Sequence, residues 1–132
     1  MIDEKLNMLR ARHYAGAGLC VASLIAYTTL SNLTPILIFS TFCFAIALPA
    51  HMAVAFMAEH FLLSTHETKQ GFDKFISRPS AIASVFFSYM GTAIAVVAVV
   101  FSLSFWAGIF FLASAFIAYK VTSSADAKCK KA

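Results

Sequence analysis

Among the side chains able to carry acid–base or metal chemistry near neutral pH, His51 alone lies well inside an apolar stretch. An ionisable group surrounded by hydrocarbon is costly, so it turns toward protein or a water-filled cavity and marks a functional position. Pro49 stands two residues earlier, where its missing N–H frees the carbonyl of Ala45 and predicts a kink beside the histidine. At about 100° per residue, Ser40, Phe44, Ala47, His51, Ala55 and Ala58 share one face, narrow and mostly small, as the inside of a helical bundle requires. Two readings of His51 follow. It is either a neutral imidazole bonded to Tyr89, a serine or the freed carbonyl, or a group for proton relay, ligand contact or metal ligation. His51, Pro49 and Tyr89 together form the predicted intramembrane polar site.

A second cluster, Glu59-His60 and His66-Glu67, contains residue types that suit zinc or iron. On a continuous helix Glu59 and His66 share a face, as do His60 and Glu67. The spacing fits neither HExxH nor ExxH, nor a multiple-histidine oxygenase pattern. A helix end wetted at the lipid headgroups is the plainer reading. Catalytic constellations are otherwise missing. Of six acidic residues, Asp3, Glu4, Glu67, Asp73 and Asp126 fall in polar segments, and no phosphate loop, nucleophile elbow or Cys-x-x-Cys occurs. The chain is therefore read as a non-enzyme with no catalytic residues, no cofactor and no assigned metal.

The elements that must position these residues are apolar to an unusual degree. Hydrophobic residues make up 61% of the 132 and charged ones 12%, against about 45–50% and about 25% in soluble domains. Tyr14–Leu33 and Ile36–Ala58 carry no Lys or Arg, and Ala81–Tyr119 runs 39 residues without charge or proline. A single straight helix of that length would reach about 58 Å, nearly twice the hydrocarbon thickness. A turn is expected near Ser102–Trp106, giving spans over about 14–33, 36–60, 81–101 and 104–120 with a loop over 61–80. The fold class is an all-α integral membrane protein, a four-transmembrane-helix bundle built from two helical hairpins in one domain, residues 1–132.

Charge sets the topology. The net charge is +4, and with four spans all ten Lys and Arg fall on one side: Lys5, Arg10 and Arg12 in the N-terminal tail, Lys69, Lys74 and Arg78 in the loop, and Lys120, Lys128, Lys130 and Lys131 at the C-terminus. The positive-inside rule then sends both termini and the loop to the cytoplasm. The basic residues read as lipid-facing topology signals, not as a nucleic-acid footprint. Met1-Ile-Asp-Glu-Lys is acidic as well as basic, and the first span is expected to be retained. Cys20, Cys43 and Cys129 form no disulfide pattern.

Lipid supplies no hydrophobic drive between helices, so small residues must mark the packing faces. The candidates are Gly18, Ala22 and Ala26 in the first span and Ser84, Ser88, Gly91 and Ala95 in the third. The expected partners are the bilayer together with another membrane protein or further copies of the chain. The leading function is a non-enzymatic membrane subunit or an immunity or regulatory protein acting through helix contacts. Two alternatives stand behind it: an oligomeric channel or transporter with a site at His51 and Pro49, and a haem- or metal-binding anchor. The expected location is a bacterial inner membrane, with a eukaryotic endoplasmic-reticulum or organelle membrane as the alternative suggested by the C-terminal lysines. Topology is directly testable in a chain freed of native cysteines. Cysteines placed at Asn32 and Trp106 should react with an impermeant thiol reagent from outside, and those at Lys74 and Lys128 should not; external labelling at Lys128 refutes the four-span reading.

Overall fold

The computed structural model describes residues 2–64 and 71–129. Their regular structure is entirely helical: α1 (Ile2–Thr28), α2 (Pro35–Leu63), α3 (Phe72–Ile76), α4 (Pro79–Leu103) and α5 (Phe105–Cys129). Two of these, α2 and α4, are long and apolar enough to cross a membrane, and Phe105–Lys120 is a shorter apolar helix.

Local chemistry accounts for the boundaries. Asp3 and Glu4 occupy the first turn of α1, where negative charge complements the helix dipole. At its other end the Thr28 and Thr29 hydroxyls donate to the carbonyls of Ile25 and Ala26, each at 2.7 Å, satisfying groups left over where the helix stops. Thr34 caps α2 by accepting the Leu37 N–H at 3.3 Å, and Pro35 follows at the first helical turn. α2 continues unbroken through Pro49. Pro79 opens α4 in the same manner as Pro35 opens α2. The long uncharged run is interrupted at Ser104 alone, whose extended backbone (φ −164°, ψ 135°) lies between α4 and α5.

α2 is central, with α1 and α4 packed along it. Its buried residues are Ser40, Phe44, Ala47, His51, Val54, Ala55 and Ala58, the expected face with Val54 added. α1 meets that face in antiparallel seven-residue steps. Leu6 clusters with Ala58 and Phe72, His13 touches His51, Cys20 packs with Phe44 and Ala47, and Tyr27 bonds Ser40. A seven-residue repeat is the period at which two helices keep one seam in contact. The seam alternates apolar and polar layers, and α4 completes it through Ser88, Ala95 and Ala98, all buried.

The distribution of side chains is inside out compared with a soluble domain. Small and polar groups fill the interior, while Phe42, Ile46, Phe56, Phe86 and Phe87 are more than half exposed. α5 departs from the four-helix expectation. Between Phe105 and Lys120 only Gly108 is buried, so three helices, not four, share the interior. The cause lies in its residues. Phe105, Trp106, Phe110, Phe111 and Phe116 surround α5 with bulk, and a side chain at its one notch, Gly108, would strike the Phe101 ring.

At the end of the bundle away from the histidines, Ser40 Oγ donates to the Ala95 carbonyl at 3.0 Å and lies 3.1 Å from Tyr27 Oη, tying three helices together. Ser40→Ala should lower stability by about 0.5–1.5 kcal/mol in reversible denaturation in mixed micelles. Thr41→Ala, which removes only a hydroxyl bonded within its own helix, should cost less.

Candidate functional site

Apart from Ser40, the buried polar groups His13, His51 and Ser88 converge on one layer between two apolar clusters. Its centre is a pair of histidines: His13 Nδ1 lies 3.0 Å from His51 Nδ1. His51 Nε2 lies 3.0 Å from Thr92 Oγ1 on α4, and the Thr92 hydroxyl donates to the Ser88 carbonyl at 2.8 Å. Both imidazoles are buried, at 0% and 1% exposure. The Tyr89 ring sits against both, with centroids 5.0 Å from His13 and 5.8 Å from His51. Cys20 Sγ is 3.7 Å from Thr92 Oγ1 and closes the layer on the side of the Phe44 cluster.

The close approach of α1 depends on Gly16. A Cβ at that position would fall onto the His51 imidazole, so only glycine admits the ring there. Gly91 serves α4 similarly, since a Cβ there would stand 3.1 Å from that of Ala47.

One set of tautomers joins these groups into a single directed chain. With the Thr92 hydroxyl donating to the Ser88 carbonyl, Thr92 accepts from His51, whose proton is then on Nε2. A neutral His51 then presents a bare Nδ1, and His13 must donate to it from its own Nδ1. This leaves His13 Nε2 as a lone pair, and it has no hydrogen-bond partner among the described residues. In this arrangement the chain runs from a buried, unpaired ring nitrogen to a backbone carbonyl.

The predicted residues fall into three groups. His51 and Tyr89 meet at the layer, whereas Pro49 is exposed beside it. Ser88, Gly91 and Ala95, with partly buried Ser84, lie on the packed side of α4. Gly18, Ala22 and Ala26 do not pack within the chain: all three are exposed, and a Cβ on Gly18 would meet nothing within 4 Å. The packed face of α1 is instead Gly16, Ala17 and Cys20. Among the metal candidates, Glu59 accepts a 2.6 Å hydrogen bond from Tyr14 and His60 is exposed, its ring edge against Phe61. His66 and Glu67 lie outside the described residues. No group of three or more His, Cys, Asp or Glu among the described residues could hold a metal ion. The two Nδ1 atoms are one hydrogen bond apart, while a metal inserted in line between them needs about 4 Å at usual metal–nitrogen distances.

His13 is the partner of His51 that sequence reasoning missed. Its signal was the spacing Leu6, His13, Cys20, Tyr27, which continues the apolar stripe back into the charged segment. In comparisons with known proteins the chain matches no family model, and no curated protein or solved structure shows significant similarity to it.

The two glycines of α1 give a sharp contrast. Gly16→Ala should destabilise by about 1–3 kcal/mol through the clash with His51, whereas Gly18→Ala, two residues away, should be neutral or slightly stabilising. Parallel denaturation of the two variants in micelles checks this.

Proposed function

We propose that this chain is a small integral membrane protein that acts without catalysis, through helix–helix contacts, as a subunit of a membrane complex or as an immunity or regulatory protein. The observation that carries the reading is the exposed small-residue stripe of α1, Ala15, Gly18, Ala22 and Ala26, beside a packed face that uses other residues. In a bilayer such a stripe lets another helix approach closely, because association there rests on backbone proximity instead of apolar burial. The exposed aromatic surface and the apolar helices α2 and α4 support a lipid setting. In this reading four helices cross the membrane with both termini and the loop in the cytoplasm, supported by the one-sided distribution of Lys and Arg. The membrane is the bacterial inner membrane, or in a eukaryote that of the endoplasmic reticulum.

A second reading, an oligomeric channel or transporter, draws on the His13–His51–Thr92 chain. Beyond Cys20 that chain runs into fully buried Phe44, Ala47 and Ala95, so a pore would have to form between copies and not through one bundle. Purification from native membranes in mild detergent separates the readings. A stoichiometric membrane partner, or a second copy, should co-purify and be lost in Gly18→Leu, whose own fold stays intact. A monomer without a partner overturns the contact reading, and a homo-oligomer that conducts ions in liposomes selects the channel.

A further inference from the structure

The layer described above ends in a buried, unpaired nitrogen. His13 Nε2 carries a lone pair on a fully buried ring with no partner among the described residues. A buried ring nitrogen left unpaired is costly and asks for a reason. A proton added at Nε2 makes the ring a cation, and three features of the layer suit that charge.

The hydrogen-bond direction is the first. With Nε2 protonated, the His13 imidazolium still donates from Nδ1 to His51, so no existing bond has to break. That bond becomes charge-assisted and stronger. Transfer of its proton from Nδ1 to Nδ1 moves the charge to His51, whose Nε2–H continues to donate to Thr92. The second feature is Tyr89, whose ring centroid lies 5.0 Å and 5.8 Å from the two imidazole centroids. An aromatic ring within about 6 Å stabilises a cation, most strongly where water is absent. The third is stoichiometry. Two imidazolium rings joined at 3.0 Å would repel strongly, so the pair accepts one proton and resists a second.

We propose that His13 and His51 form a binding site for one proton per chain, entered at His13 Nε2 and shared across the Nδ1–Nδ1 bond. A hydronium ion supplies the proton and leaves as water; one N–H bond forms at Nε2 and no electrons are exchanged. The site lies between the Leu6–Ala58–Phe72 cluster and the Cys20–Phe44–Ala47–Ala95 cluster. The other titratable or charged groups on the elements packed around it are few. α1 carries Arg10, half-buried one turn from His13, with Asp3, Glu4, Lys5, Arg12 and Tyr14 exposed, and also Cys20 at Thr92 and Tyr27 at Ser40. α2 carries Cys43 against the Phe44 cluster, Glu59, held by the Tyr14 hydroxyl, and exposed His60; α3 carries Asp73 and exposed Lys74, and α4 carries Tyr89.

The test is a proton titration of the full chain in nanodiscs, followed through the histidine ring nitrogens by nuclear magnetic resonance. His60→Gln and His66→Gln leave the pair as the only imidazoles. At about pH 8 the expected state is His13 protonated on Nδ1 and His51 on Nε2. Acidification to about pH 4 should then give a single step with a common midpoint on both rings and an uptake of one proton. Tyr89→Leu, at a half-exposed position, should weaken proton affinity by about tenfold. Reversed tautomers at high pH, two separate midpoints with two protons taken up, or rings that stay neutral throughout would each overturn the proposal. The titration itself needs no change within the pair, so misfolding of a His13 or His51 variant cannot obscure it.

Discussion

The hydrogen bond between His13 and His51 sets the depth at which α1 lies along α2, and the other layers follow from that depth. Each helix offers the same seven-residue step, so several registers would bring apolar residues together almost equally well. Only one joins two buried imidazoles at 3.0 Å and brings Tyr27 to Ser40 at the same time. Polar partners inside an apolar bundle thus act as register marks. A slip of one turn would strand both histidines without partners, at a cost far above that of repacking Leu6 or Cys20.

That depth also accounts for the position of α1. Its apolar part, Tyr14–Thr28, rises only about 22 Å, less than a hydrocarbon core of about 30 Å. His13 extends the buried seam into the charged segment, and Leu6 carries it further to the apolar cluster with Ala58 and Phe72. The residues that look like a soluble tail are therefore half of a packing interface, with Lys5 and Arg12 turned outward.

The α2 face was legible because its buried residues are small or polar at a helical period while its other faces are large and apolar. The contrast between Ala47 and Ile46, or His51 and Phe56, is enough to orient the helix. The break at Ser104 was legible from length and charge, although local turn chemistry there is weak. α1 was not legible in the same way. Ala15-Gly16-Ala17-Gly18 presents small residues in every direction, so size cannot select a face, and the stripe through Gly18 is as regular as the one that packs. His13 was hidden by Arg10 and Arg12, whose charges assign the segment to water when it is read residue by residue. The looser packing of α5 was not legible, because hydropathy reports what a helix avoids but not whether its surface has a shape that fits a neighbour.

The junction between α4 and α5 gives the molecule a mechanical asymmetry. One residue of extended backbone, Ser104, separates two long helices, and across it the Phe101 ring meets Phe105 and lies against Gly108. A change in that one pair of dihedral angles would swing the apolar part of α5, about 24 Å long, as a single arm. A rotation of about 10° there would displace Lys120 by about 4 Å.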